Sequence, residues 1–212
     1  RADRPLRLSR APGRLDVMGG IADYTGSLVC EATLDRAAAV ALQTRDDRQV
    51  QIVSLNLADE HRPCTFGISL DALAASDAQS LSSGFAEPGR RWAGYLAGCL
   101  FILHEAGLVD LRDPSHAGLN IALYSTVPLG SGVSSSAAIE VAMMMGLVDH
   151  FAIARSEPVL GPMRFAALCQ QVENRIVGAP CGIMDQETTC YGESGSLPRM
   201  VWAPDSSPTA WT

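Results

Sequence analysis

The chain has 212 residues, enough for one large domain or two small ones, and its 47% hydrophobic and 6% aromatic content predicts a core of aliphatic residues and alanine. Its formal net charge of −7 argues against a general nucleic-acid or membrane-surface binder. In addition, no apolar run is long enough to cross a bilayer. From the charge and the lack of such a run we predict neither a nucleic acid nor a membrane as a partner.

The cysteines and histidines indicate the compartment. Six cysteines occur without a Cys-x-x-Cys pair, and four histidines lack the spacing of metal ligands. This pattern favours reduced thiols and no structural zinc, so we expect a cytoplasmic protein. Because the chain begins with Arg1 and not with Met, we expect it to be part of something longer.

The first half of the chain predicts mainly strands. The predicted strands are residues 5–10, 36–43, 49–55 and 64–68. A glycine-punctuated stretch, residues 11–26, follows the first strand and contains an arginine in an apolar neighbourhood. The rest of residues 56–90 is mixed, and its Ser/Ala/Gly-rich part, residues 75–90, is typical of a surface loop.

The second half predicts mainly helices. Apolar residues spaced by three and four run from Trp92 to Leu103 and again from Phe165 to Ile176, with Gly107 and Gly178 as the ends of the two helices. Leu119, Ile121 and Leu123 alternate as in a strand. Residues 134–151 are apolar nearly all round, which predicts a buried helix. A short helix is expected after residue 186, and the order of elements suggests an α+β domain.

A glycine- and serine-rich stretch lies between the strand at 119–123 and the buried helix. Gly130 and Gly132 allow backbone N–H groups to point inward, and the helix N-terminus adds a partial positive charge. The three serines at 134–136 add hydroxyl donors and a possible magnesium ligand. This is how a backbone holds a polyphosphate, although no Walker A lysine follows. The alternative is an ordinary turn with Ser134 as the helix N-cap.

Four charged residues have both a structural and a functional interpretation. Asp185 is either a helix N-cap or a carboxylate that acts on a hydroxyl nucleophile, and Arg14 is its candidate partner. Glu173 is either a solvated helix residue or a magnesium ligand. Asp23 is either a turn residue or a ligand for sugar hydroxyls.

Three motifs together resemble those of the GHMP small-molecule kinases, in particular their galactokinase branch. They are Ala11-Pro-Gly-Arg14 through Asp23-Tyr24, Pro128-Leu-Gly-Ser-Gly-Val-Ser-Ser-Ser-Ala137, and Val177-Gly-Ala-Pro-Cys-Gly-Ile-Met-Asp-Gln186. The resemblance implies the α+β fold of that family's N-terminal domain, similar to domain 2 of ribosomal protein S5, with helices packed on a mixed sheet. It also implies transfer of a phosphoryl group from ATP, with Mg²⁺, to the anomeric hydroxyl of a sugar.

The resemblance also implies roles for individual residues. Asp185 is similar to the catalytic aspartate and Arg14 to its partner, while Ser135 and Glu173 are similar to the metal-binding serine and glutamate. The positions similar to the phosphate-binding loop are Gly130, Ser131, Gly132, Ser134, Ser135 and Ser136. The positions similar to sugar contacts are Arg14, Gly20, Ile21, Asp23, Gly182 and Asp185.

Two departures from the galactokinase pattern affect the expected substrate and domain organisation. Gly20 and Ile21 stand where galactokinases carry Glu and His, which contact the exocyclic hydroxymethyl group. L-Arabinose lacks that group, and the motif is also similar to that of L-arabinokinases, so we expect L-arabinose as substrate and L-arabinose 1-phosphate as product.

The second departure is the lack of the family's third glycine-rich motif. We therefore expect residues 1–202 to be the ATP- and sugar-binding domain, residues 203–212 to be a linker, and activity to need a C-terminal half. The alternatives to an L-arabinose kinase are a galactokinase, another anomeric sugar kinase, and a non-catalytic regulator that binds sugar and ATP.

Overall fold

The computed structural model describes residues 4–20, 28–156, 158–193, 195, 197–201 and 209–211. Its strands are β1 (Leu6–Met18), β2 (Leu28–Thr44), β3 (Gln49–Ser54), β4 (Thr65–Ser69), β5 (Leu119–Ser125), β6 (Leu197–Val201) and β7 (Thr209–Trp211). Its helices are α1 (Leu55–Asp59), α2 (Leu70–Ala75), α3 (Ala78–Phe85), α4 (Arg91–Glu105), α5 (Ser135–His150), α6 (Pro162–Gln171) and α7 (Met184–Tyr191). A π-helical turn, Val172–Val177, continues α6.

The described strands form one mixed sheet in the order β4-β3-β5-β2-β6-β7, and β1 also pairs with β2. β2 is antiparallel to β1, β5 and β6, whereas β3 and β5 are parallel. The β1–β2 ladder changes register between Pro12 and Arg14 and again between Asp16 and Met18. These irregularities keep the glycine-punctuated stretch within the strand while bending it, as β-bulges do.

Helices α4 and α5 form the centre of the core. α5 packs against β1 and β2, and α4 packs against α5 and the π-helical turn. In β2, Ala38, Val40 and Leu42 alternate with less buried residues and are almost fully buried, as expected for a strand with one face on the core. The confirmed α+β arrangement therefore fixes both ends of the loop that joins β5 to α5.

The structure corrects two sequence-based predictions. Residues 75–90 are not a surface loop, because α3 lies within them: the Asp77 carboxylate accepts a bond from the Ser80 backbone N–H (2.8 Å), and Leu81 and Phe85, one helical turn apart, are buried. The second correction concerns strand length, because β1 and β2 both extend well beyond the predicted strands at residues 5–10 and 36–43.

Part of the predicted linker forms a short strand. The short strand β7, which pairs with β6, lies inside the predicted linker 203–212, most of which is outside the described residues. No helix in the described part of the chain is both long enough and apolar enough to cross a membrane.

Candidate active site

The loop between β5 and α5 has a left-handed backbone at three positions. Gly130 and Gly132 each have a φ of 68°, and Ser134 has a φ of 54°. Glycine adopts this conformation without strain, whereas serine does so at a cost. Ser134 occupies the N-cap position of α5, as one interpretation predicted, but its side chain makes no cap bond. The first-turn N–H groups of the helix therefore have no side-chain cap and can bind an anion.

Arg14 connects β1 to this loop. Its backbone N–H donates to the Val133 carbonyl oxygen (3.1 Å), and its Nη1 donates to the Gly132 carbonyl oxygen (2.7 Å). A Cβ added to Gly13 would lie only 2.8 Å from the same Val133 oxygen, so the approach of strand and loop requires glycine. The first two motifs of the sequence are therefore in direct contact.

Arg14 also binds Asp185, which brings in the third motif. Its Nε and Nη2 donate to Asp185 Oδ1 at 2.9 and 2.6 Å, and the Ser134 hydroxyl donates to Oδ2 at 2.5 Å. Asp185 is the second residue of α7 and Ile183 occupies the cap position, so the N-cap interpretation of Asp185 is wrong. The Asp185 side chain is 20% exposed, so it is held by donors yet still open to the surface.

Glu31 is a member of this site that the sequence analysis missed. Its Oε2 lies 2.8 Å from Arg14 Nε, and its side chain is fully buried. The Arg14 guanidinium therefore lies between two carboxylates, those of Glu31 and Asp185. Glu31 follows the buried Val29 by two residues in β2, so both side chains lie on the inward face of that strand. The predicted strand at residues 36–43 began too late to show this.

Glu173 is buried, with 7% exposure, so its interpretation as a solvated helix residue is wrong. Its carboxylate accepts bonds from the Ser136 hydroxyl, from Gln186 Nε2 (3.2 Å) and from the Cys181 thiol (3.7 Å). Burial raises the pKa of Glu173, the bond from Ser136 opposes that rise, and the negative charge of Asp185 adds to it.

Glu140 and Gln186 lie behind Glu173 and are both fully buried. Gln186 Nε2 donates to Glu140 Oε2 as well as to Glu173 Oε2, at 3.2 Å in each case. Burial, with the neighbouring Glu173 charge, holds the pKa of Glu140 well above its ordinary value. Neither residue had a predicted role, although a glutamate inside a helix that is apolar all round was a signal.

The described residues fit a magnesium site that is completed by a ligand. They contain no group of three or more His, Cys, Asp or Glu side chains able to hold a metal ion. Magnesium often takes only one or two protein carboxylates and binds phosphate oxygens besides, so a single carboxylate such as Glu173 suffices. Within the described part of the chain Glu173 meets the hydroxyl of Ser136, and no bond joins it to Ser135.

The predicted sugar-binding positions are only partly described. Gly20 has a φ of 60°, and its backbone N–H donates to Asp16 Oδ2 at 2.6 Å. Gly182 lies in the loop before α7, where the Asn174 side chain accepts from the Cys181 backbone N–H (2.8 Å). Ile21 and Asp23 lie outside the described residues.

A cavity of about 340 Å³ adjoins the start of the glycine loop. Val127, Pro128 and Leu129 line one side of it, and Asn56 and Trp92 belong to its other walls. Trp92 entered the sequence analysis only as part of a helical stripe. The cavity is large enough for a planar heterocycle, and its position beside the loop suits the base of a nucleotide.

Two family models match the chain. The model described as GHMP kinases N terminal domain matches residues 95–193, and the galactokinase galactose-binding signature matches residues 1–44. Curated relatives include an L-arabinokinase of Arabidopsis thaliana, 37% identical over 95% of this chain and 21% of its own length. They also include a galactokinase of Chloroflexus aggregans, 37% identical over 90% of this chain and 42% of its own length. The chain thus spans less than half the length of these relatives.

Solved structures share the fold. The Lactococcus lactis galactokinase complexed with galactose matches with a TM-score of 0.75 and 24% identity, over 92% of this chain and 44% of that one. A mevalonate kinase matches with a TM-score of 0.71 and 15% identity, over 97% of this chain and 56% of that one. The chain therefore has the fold of the GHMP kinase N-terminal domain, and its residues 95–193 and 1–44 are similar to that family model and to the galactokinase galactose-binding signature.

Proposed function

We propose that this chain provides the catalytic site of a kinase that phosphorylates the anomeric hydroxyl of L-arabinose with ATP. The observation that carries the proposal is the position of Asp185. Its carboxylate is held by Arg14 and Ser134 at the N-terminus of α5, next to a loop whose backbone suits a polyphosphate. A carboxylate so placed can orient a sugar hydroxyl toward a bound phosphate.

The cavity beside the glycine loop has room for the nucleotide base. We propose that the base occupies the cavity beside Trp92 and that the phosphates lie along Gly130, Ser131 and Gly132 toward the first turn of α5. Glu173 and the hydroxyl of Ser135 would hold Mg²⁺, which when bound neutralises phosphate charge. Because phosphoryl transfer depends mainly on positioning and charge neutralisation, this arrangement suits that reaction.

The transfer itself exchanges one bond for another. The sugar oxygen forms a bond to the γ-phosphorus, the bond from that phosphorus to the bridging oxygen of ADP breaks, and the hydroxyl proton goes to the Asp185 carboxylate. The Arg14 guanidinium fixes that carboxylate through two nitrogens. Such a pair limits its rotation, which is the contribution that a positioned acid or base makes.

The choice of sugar is a separate part of the proposal. We propose that Gly20, Ile21, Asp23 and Gly182 contact the sugar and that Gly20 and Ile21 disfavour a hydroxymethyl substituent. The named relatives support either of two sugars, since both an L-arabinokinase and a galactokinase resemble the chain at 37% identity. A galactokinase is therefore the second candidate. We also propose that transfer requires a C-terminal half, as the third glycine-rich motif of the family suggests.

One experiment separates these candidates. ADP release by the full-length kinase is measured with L-arabinose, D-galactose, D-fucose and D-glucuronate at equal concentrations. The proposal expects the highest kcat/KM with L-arabinose. A preference for D-galactose would support the second candidate. Binding of sugar and ATP without release of ADP would overturn both and indicate a regulator.

A further inference from the structure

Three buried side chains connect the proposed metal site to α7, the helix that carries Asp185 and that we call the catalytic helix. Gln186, on α7, donates from Nε2 to two different carboxylates, Glu140 on α5 and Glu173 on the π-helical turn. The same nitrogen also lies 3.7 Å from Cys181 Sγ, which is a weak acceptor. We refer to Gln186, Glu140 and Glu173 as the Gln186 bridge. Glu140 and Gln186 have no exposed surface, so water cannot replace any of these bonds without a rearrangement of the core.

We infer that Gln186 is a positioning residue for Glu173, and that Glu140 fixes Gln186 from the opposite side. The inference rests on the proposed function, since it gives Glu173 a role in holding Mg²⁺. Residues around a metal ligand orient it, and their loss commonly weakens metal binding even though they do not touch the metal.

The remaining contacts of Glu173 show why Gln186 is needed. The Cys181 thiol lies 3.7 Å from Glu173 Oε2, and a thiol is a weak donor. The Ser136 hydroxyl is the other donor, and it belongs to the serine run that faces the phosphates. Gln186 is therefore the fully buried donor among these three, and we expect its bond to Glu173 not to depend on a bound nucleotide.

The bridge also fixes the distance between two functional carboxylates. Gln186 directly follows Asp185 in α7, so a bond from Gln186 to Glu173 sets the position of the catalytic helix relative to the π-helical turn. Glu140 lies in the second turn of α5, the helix whose N-terminus faces the phosphates. The bridge thus joins the three elements that carry the phosphate-binding turn, the metal ligand and the catalytic aspartate.

The test measures metal binding in the full-length kinase rather than activity alone. Mn²⁺ is titrated in the presence of a non-hydrolysable ATP analogue, and free Mn²⁺ is followed by its electron paramagnetic resonance signal. We expect Gln186→Met, which keeps length and removes both donors, to weaken Mn²⁺ binding about tenfold or more. Affinity for the analogue without metal should stay within about threefold, because among the described residues no hydrogen bond joins Gln186 to a phosphate-binding position.

Variants at Glu140 provide a second route if Gln186→Met fails to fold. Glu140→Gln retains an oxygen acceptor for Gln186 and should bind Mn²⁺ within about threefold of wild type, whereas Glu140→Met should weaken it. The double variant Glu140→Met with Gln186→Met should bind Mn²⁺ no more weakly than Gln186→Met alone, because both substitutions break the same bridge. The matched control is Gln171→Met, since Gln171 bonds Arg175 on its own helix and should leave Mn²⁺ binding unchanged.

Glu173→Gln separates failure of the bridge from failure of the proposed function. If Glu173→Gln weakens Mn²⁺ binding but Gln186→Met and Glu140→Met do not, the bridge is only part of the core and the inference is wrong. If Glu173→Gln itself leaves Mn²⁺ binding unchanged, the metal role of Glu173 fails and the inference fails with it. A lower melting temperature without weaker metal binding counts against the inference as well.

Discussion

Replacing Asp185 with asparagine should remove catalysis while leaving the fold in place. The carboxylate accepts from two Arg14 nitrogens on Oδ1 and from the Ser134 hydroxyl on Oδ2. In Asp185→Asn the amide oxygen can keep the Arg14 bonds, and the Ser134 hydroxyl can rotate to accept from the new amide. The shape of the site is therefore retained and the negative charge is lost.

The size of the effect follows from what that charge does. A positioned general base contributes about a hundred- to ten-thousand-fold, which corresponds to about 3 to 5 kcal/mol of activation barrier. The effect on stability should be smaller, because Glu31 still lies 2.8 Å from Arg14 and the buried guanidinium keeps one carboxylate beside it. We expect kcat to fall by at least a hundredfold in the full-length kinase.

The assay is the initial rate of ADP release at saturating sugar and ATP. ATP affinity and the denaturant midpoint of unfolding serve as controls and should change little. Turnover within about tenfold of wild type, or about 1.4 kcal/mol of barrier, would refute the catalytic role of Asp185. A large loss of ATP affinity would instead point to a disrupted loop.

Three further substitutions test the supports of the site. Arg14→Met should lower the free energy of unfolding by about 3 to 5 kcal/mol, because it removes the cation beside the buried Glu31. Denaturant titration measures this loss, and adding Glu31→Gln should restore part of the lost stability. Ser135→Ala should raise the Mg²⁺ concentration needed for half-maximal ADP release. A Mg²⁺ titration curve that overlays the wild-type curve would show that Ser135 is not a metal ligand. Gly13→Ala should lower stability by about 1 to 3 kcal/mol, because its Cβ meets the Val133 carbonyl oxygen at 2.8 Å. Gly84→Ala is the control, since a Cβ there has open space and should not lower stability. Equal melting temperatures of the two variants would contradict this prediction.

Local periodicity and the resemblance predicted much of the fold. The stripes that ended at Gly107 and Gly178 correspond to α4 and to α6 with its π-helical turn, and both glycines have the left-handed φ that a helix end favours. The alternation from Leu119 corresponds to β5. The need of a buried arginine for a carboxylate partner led to the pairing of Arg14 with Asp185, which the structure contains.

Other parts of the site depend on packing that no local pattern reports. The burial of Glu173 could not be read from a position at the edge of its helical stripe, since α7 and the serine run cover it. Gln186 matched a motif, but its bond to Glu140, 46 residues away, exists only in the folded chain. The helix α3 was missed because small residues surround its two apolar anchors, and its Asp77 cap was not recognised.

The last prediction concerns the choice of sugar. Exchanging Gly20→Glu and Ile21→His should shift preference from L-arabinose toward D-galactose, because Glu and His at these positions in galactokinases contact the hydroxymethyl group. An unpaired buried hydroxyl costs about 1 to 3 kcal/mol, which amounts to roughly a five- to a hundred-fold change in kcat/KM between the two sugars. The measurement is the ratio of kcat/KM for the two sugars in the full-length kinase, before and after the exchange.

The structure adds a cost that the motif alone did not show. Gly20 has a φ of 60°, so any other residue there is strained, although a Cβ would meet no atom of the described residues within 4 Å. Gly20→Ala therefore serves as the matched control, since it carries the strain without the carboxylate and should lower stability without changing the sugar ratio. The Asp16 carboxylate accepts from the Gly20 N–H and should hold the backbone in place in both variants. A double variant whose ratio equals that of Gly20→Ala would show that residues 20 and 21 do not choose the sugar.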